Sequence, residues 1–276
     1  MKRAFIIFIT STLYISCAQN RKNIDDPETR TQETIKNSFF DYLQNPKEIA
    51  VLIPGIEFDV KFLHDPTRFI DYTGNDIKSA ANLGIYLSDL NYCILNNQSS
   101  YTKQYFNASY ELSKVLRAEK RILEFLMKRY EENINQNDSV KQLMNQLLSE
   151  STLGLRGTDR ERLIGISMAA YQVENLHLAL STIQSFPETL TDKQIQTRAL
   201  LLQFVLDQRP QIELIYSFIR ANSDPLDPDR NPNYPFYDNA LRELIRAYQH
   251  VTADDPKITE IYEKVSVIRN KMVQIE

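Results

Sequence analysis

The sequence predicts an all-α protein of roughly ten helices in an antiparallel array or bundle. Residues 67–186 contain no proline and residues 166–276 no glycine; long stretches without breakers favour helix. Apolar residues recur at spacings of three and four along the chain. Period-two alternation rich in Val, Ile and Thr is hard to find anywhere. The 276 residues are 42% hydrophobic and 25% charged, the composition of a globular chain able to bury a substantial core.

The first residues read as an address. Met1-Lys2-Arg3 is a basic start, Ala4 to Ile15 an apolar stretch, and Ser16-Cys17 a small-residue end. Together they have the three-part pattern of a secretory signal peptide. The apolar stretch is short of the ~20 residues a membrane-spanning helix needs. Residues 17–25 are polar and read as a tether. Residues 26–276 then read as a single helical domain.

Helix starts are legible within it. Asp26-Pro27 and Asp255-Pro256 each place a capping Asp before a first-turn Pro. Thr158-x-x-Glu161 and Thr191-x-x-Gln194 fit the capping box. Apolar stripes follow: Ile35, Phe39, Tyr42 and Leu43; then Leu163, Ile166, Ala170, Val173 and Leu180; then Ile258, Ile261, Val265 and Ile268. Gly154-Leu155-Arg156-Gly157 is the clearest mid-chain break. It marks either a subdomain boundary or a turn inside one array. The acidic and basic run from Arg117 to Glu132 reads as a solvated helix face.

Three regions could carry chemistry. Between Lys78 and Lys103 lie 24 residues with one charge, Asp89. On a helix Asn82, Tyr86, Asp89, Cys93 and Asn96 fall on one stripe. The other faces are apolar, and Gly84 would permit close helix approach. A helix apolar nearly all round is buried, and a buried carboxylate must be paired, hydrogen-bonded or protonated. Asp89 is therefore expected inside, held by tyrosine, asparagine or arginine groups, or pointing into a polar cleft. Cys93 reads as a small core residue.

The second region is Asp224 to Asp238. Asp227, Asp229, Asn231, Asn233 and Asp238 occupy positions 1, 3, 5, 7 and 12 of a calcium loop. Pro232 stands where the sharp turn needs glycine, and Asp238 is shorter than the usual Glu. A proline-stiffened interhelical loop is the favoured reading. The third region is aromatic: Tyr86, Tyr92, Tyr101, Tyr105, Phe106 and Tyr110 cluster, and Tyr234, Phe236 and Tyr237 end the proline loop. Core packing is favoured over exposed stacking surfaces.

Function classes can be excluded or ranked. Two cysteines exclude a Cys-rich zinc module, and His64, His177 and His250 lie too far apart for helical zinc motifs. No G-x-G-x-x-G, G-K-[ST] or G-x-S-x-G motif occurs. No cofactor and no resident metal are expected. Residues 1–16 carry two basic residues and no acidic one, so the processed chain has 30 basic against 36 acidic residues, a net charge of −6. That offers no basic stripe, and no nucleic-acid partner is expected.

Two resemblances extend this reading. Tyr14-Ile15-Ser16-Cys17 resembles the lipobox of bacterial lipoproteins, with Tyr14 departing from the usual Leu. The resemblance implies lipid on Cys17 and membrane attachment through it. Ala18 in place of the Asp that retains enteric lipoproteins at the inner membrane implies the outer membrane, on its periplasmic or surface side. The alternative is ordinary cleavage after Ala18, which would discard Cys17. Ser79-Ala-Ala-Asn-Leu-Gly-Ile-Tyr-Leu-Ser-Asp-Leu-Asn-Tyr92, continuing to Gln98 and Tyr105-Phe106, resembles a run in uncharacterised all-helical lipoproteins of Bacteroidetes-type bacteria. It implies an all-helical envelope protein and carries over no catalytic residue. Asp138-Ser139-Val140 resembles the short O-glycosylation signal of the same bacteria.

The leading expectation is a lipid-anchored, non-enzymatic scaffold or interaction module of the cell envelope, with envelope proteins as partners. The alternative is a ligand-binding lipoprotein, glycans included, although helical sugar-binding lipoproteins are larger and rich in Trp, which this chain lacks. An envelope hydrolase without a recognisable motif comes third. An exposed aromatic cleft would favour the binder, and a flat apolar patch the scaffold. A buried acid beside a second carboxylate in a pocket would favour the enzyme.

Overall fold

A computed structural model describes residues 27–44, 59–117, 120–133, 136–222, 234–251 and 258–274. These residues form ten α-helices, three short 3-10 turns and no strand, so the all-α expectation holds. The helices are α1 (Pro27–Leu43), α2 (Asp76–Leu95), α3 (Ser99–Val115), α4 (Lys120–Asn133) and α5 (Asn137–Leu153). They continue as α6 (Arg162–Ser185), α7 (Asp192–Asp207), α8 (Arg209–Ala221), α9 (Tyr234–Ala247) and α10 (Ile258–Val273).

Helices α2 and α6 form the centre. Every residue from Ser79 to Ile94 and from Leu163 to Leu176 is buried. The two cross in backbone contact at Gly84, where a Cβ would lie 2.0 Å from the Ser167 carbonyl oxygen. Only glycine allows that approach, as the sequence suggested. Helices α3 and α5 pack on α2, α7 and α8 on α6, and α10 on both central helices. Outside these, α1 covers α8, α4 pairs with α5, and α9 bridges α8 and α10.

The apolar stripes point where they should. Phe39 and Tyr42 of α1 are buried, and Phe39 stacks on Phe218 of α8 with centroids 3.8 Å apart. Leu163, Ile166, Ala170, Val173 and Leu180 are buried on α6, and Ile261, Val265 and Ile268 on α10. Helix α4 buries Leu123, Leu126 and Tyr130 while its charged face stays outside.

Capping is more varied than the motifs suggested. Thr191 and Gln194 form the expected reciprocal box at the start of α7. The second box does not form. Helix α6 begins only at Arg162; Thr158 accepts from the Arg160 amide, and Glu161 reaches back to the Gly157 amide instead. The cause is local: Gly157 adopts a positive φ of 72°, and consecutive tight turns occupy residues 155–161 before the helix can start. The Gly154–Gly157 break is thus the turn between α5 and α6. Pro27 opens α1 as expected, whereas Asp26 and Asp255-Pro256 lie outside the described residues. Asn75 caps α2, its side chain accepting from the Ile77 and Lys78 amides.

Candidate functional site: a strapped carboxyl pair

Residues 59–72 cross the molecule as an irregular strap containing the turns Val60–Phe62 and Pro66–Tyr72. Such a segment leaves backbone groups without regular partners, and burial requires that they find others. Side chains of the helices beneath supply them. The Tyr92 hydroxyl accepts from the Asp59 amide at 3.2 Å. The Tyr105 hydroxyl donates to the His64 carbonyl at 2.8 Å, and the Tyr86 hydroxyl to the Asp65 carbonyl at 3.0 Å. The His64 amide donates to Asp89 Oδ2 at 3.1 Å.

Asp89 is completely buried. Its partners differ from those expected: the backbone amide of His64 and the carboxyl of Glu174, rather than tyrosine, asparagine or arginine side chains. The reason is the strap. Its His64 N–H is buried against α2 and needs an acceptor, and Asp89 is the group within reach. Glu174, also completely buried on α6, takes the arginine. Arg269 of α10 grips it in a fork, Nε to Oε2 at 2.7 Å and Nη2 to Oε1 at 2.9 Å. The same Nη2 lies 3.4 Å from the Phe62 carbonyl of the strap.

The electrostatics separate the two acids. Burial, then the neighbouring Glu174, push the Asp89 carboxyl well above the ordinary carboxylate range. Burial also works against charge on Glu174, but Arg269 and then His177 hold it below its ordinary value. Arg269 is itself desolvated, and Glu174 more than offsets that, keeping the guanidinium firmly charged. Burial lowers His64 to about 4, so the ring is neutral. Its Nε2 lies 2.8 Å from the Tyr72 hydroxyl, which donates to the Val273 carbonyl at 3.1 Å. With that hydroxyl proton used, Nε2 is assigned as the protonated nitrogen of His64. The ring stacks on Tyr86, centroids 5.4 Å apart.

The polar stripe on α2 is therefore an internal seam. Asn82 is buried, its amide donating to the Lys78 and Met272 carbonyls at 3.0 and 3.2 Å. Tyr86 and Asp89 face the strap. Asn96 is half-buried and caps the end of α2. Cys93 is a buried thiol whose ionisation burial opposes. Among the clustered aromatics, Tyr86, Tyr92, Tyr105 and Phe106 are core residues, and Tyr101 and Tyr110 pack at its edge.

Two openings lie elsewhere. One of about 250 Å³ lies among Asn75, Lys78, Phe236, Lys271 and Gln274. A larger apolar groove of about 530 Å³ runs between α9 and α10, lined by Phe236, Ala240, Val267 and Ile268 and edged by Glu243 and Lys264. Neither is lined by Asp89 or Glu174.

Of the calcium-loop residues, Asp227, Asp229, Asn231 and Asn233 lie outside the described residues, as does Cys17. Asp238 sits on α9, where it accepts from the Tyr216 hydroxyl at 3.2 Å and pairs with Arg242 at 3.0 Å. Ser139 lies half-buried in the first turn of α5.

Glu174, Arg269 and His64 escaped the sequence reading. Glu174 had the same signal as Asp89: it is the one charged residue between Arg162 and Glu188. Arg269 had none, since α10 carries other charges and only the crossing selects this one. Comparison with known proteins gives no matching family model, curated relative or solved structure.

Proposed function

We propose that this chain is a lipid-anchored envelope protein working as a non-enzymatic scaffold or interaction module. The observation that carries the non-enzymatic part is the complete burial of Asp89 and Glu174. Acid–base catalysis needs a group within hydrogen-bond reach of a substrate, and here the strap and three helices stand in the way. The anchor rests on the basic, apolar and small-residue run that ends at Cys17. A second reading, a ligand-binding envelope lipoprotein, draws on the apolar groove between α9 and α10, whose shape and lining suit a small apolar ligand.

Membrane fractionation of wild type and Cys17→Ala, with intact mass of the mature chain, tests the anchor. Lipid attachment places wild type in the membrane fraction with an acylated Cys17. The variant then accumulates as precursor or appears in the soluble fraction, because stable anchoring needs acyl chains. A wild-type chain beginning at an unmodified Gln19 refutes it. In-cell crosslinking that joins wild type, but not the detached variant, to envelope proteins supports the scaffold.

A further inference from the structure

The buried acids leave one polar contact that two carboxylates cannot make. Asp89 Oδ2 accepts from the His64 amide, while Oδ1 is buried and meets no N–H or hydroxyl donor. Yet Asp89 and Glu174 are neighbours across α2 and α6, beside the Ser88–Asn175 hydrogen bond of 2.8 Å, and Glu174 acts directly on the Asp89 carboxyl. A carboxylate only accepts, so the two bond only when a proton lies between them. The charge balance agrees. Arg269 makes a two-pronged contact with Glu174 through Nε and Nη2, neutralising one carboxylate, and donates no hydrogen bond to Asp89. Two carboxylates sharing so small a space do not both ionise.

We propose that Asp89 and Glu174 share one proton in the folded protein, and that this proton is a latch holding the 59–72 strap closed.

The surroundings set what can relieve the pair when the proton leaves. From α2, Tyr86, Tyr92 and Cys93 face Asp89, and from α3 Tyr105; burial opposes ionisation of all four, so none adds charge at neutral pH. From α6 come Glu174 itself and His177, which burial holds below its ordinary value. From α10 comes Arg269 alone. The strap contributes His64, neutral, with Asp65, Arg68 and Tyr72 around it. Arg68 neighbours His64, and among the described residues Arg269 is the arginine that acts on Asp89, so a second negative charge must be met by water. Helices α2 and α6 cannot part without breaking the Gly84–Ser167 contact. The strap is the cover with the least regular structure, held by individual tyrosine hydroxyls and the His64 amide. Opening it admits water to the pair. It also uncovers two carboxyls and a guanidinium beside Tyr72, Tyr86 and Tyr105.

The sign of the pH dependence follows. A carboxyl whose folded value lies above its unfolded one binds a proton that the open form releases. Closure is therefore favoured at low pH and weakens as pH rises toward the folded value. The linkage is one proton, so the closing constant of the strap falls about tenfold per pH unit in that range.

The purified wild-type protein tests this directly. Its infrared spectrum at pH 7 is expected to contain the carbonyl band of a buried protonated carboxylic acid, absent from Asp89→Asn. Hydrogen-exchange protection of the His64 amide and its strap neighbours, corrected for intrinsic rates, is expected to fall with that tenfold-per-unit slope as pH rises above the ordinary carboxylate range toward the folded value of Asp89. In Asp89→Asn, which keeps an acceptor for His64 but has no proton to lose, the slope disappears. Absence of the acid band from wild type overturns the proposal. So does strap protection in wild type that stays flat across the pH range. Both measurements on wild type stand even if Asp89→Asn fails to fold.

Discussion

Helices α2 and α4 belong to one fold and treat their polar residues in opposite ways. From Ser79 to Ile94, α2 is buried on every side. Helix α4 buries Leu123, Leu126 and Tyr130 and leaves Phe125 55% exposed among its charges. On α4 water satisfies the polar face, and the Lys128–Glu132 pair, 4.0 Å apart in solvent, contributes little. On α2 the buried polar groups have only protein to turn to, and several find partners there. Asn82 bonds carbonyls of α2 and α10, Ser88 bonds Asn175 at 2.8 Å, and Asp89 meets the strap and Glu174. The difference shows where this fold concentrates its specificity: in the polar seam between central helices, not in the apolar stripes of the outer ones.

The comparison predicts a steep gradient of mutational effects. The largest belongs to Arg269→Ala, which leaves Glu174 and Asp89 enclosed without their cation. Breaking a buried pair in this way destabilises by about 3–5 kcal/mol, readable as a lowered denaturant midpoint. A loss below about 1 kcal/mol would mean that the pair is solvated and that the seam is open to water. Next comes Gly84→Ala. Its methyl would strike the Ser167 carbonyl, 2.0 Å from the ideal Cβ position, and a backbone atom cannot swing aside. The helix-propensity gain of roughly 1 kcal/mol is outweighed by overpacking of about 1–3 kcal/mol or more. A stabilised Gly84→Ala, measured by thermal melt, would show that the crossing is looser than described. The smallest effect is expected on α4: Phe125→Ser should stay within about 0.5 kcal/mol of wild type. A larger loss would show that Phe125 packs within the fold and erase the contrast between the two helices.

Much of this seam was legible. Asp89 as the lone charge in an apolar run, and Gly84 opposite it, follow from residue spacing on one helix. Glu174 offered the identical lone-charge pattern on α6, so two buried acids could have been placed, though not beside each other. The His64 strap gave no signal, because residues 59–72 lack the periodicity that marks a helix, and their fixed shape comes from tyrosines of α2 and α3. The failed capping box at Thr158 shows the same limit on a smaller scale: the right residue types were present, but a positive-φ glycine one position earlier redirected the chain.

The sequence by itself determined what depends on neighbours along the chain. Missing breakers, apolar stripes at helical spacing, the Thr191–Gln194 cap and the all-round apolar character of α2 and α6 are local properties, set within one or two turns. Tertiary structure alone decided which buried groups meet. His64 and Asp89 are 25 positions apart, and Glu174 and Arg269 are 95. Those pairings depend on the angle and register at which helices cross, and here a single glycine lets α2 and α6 cross in backbone contact.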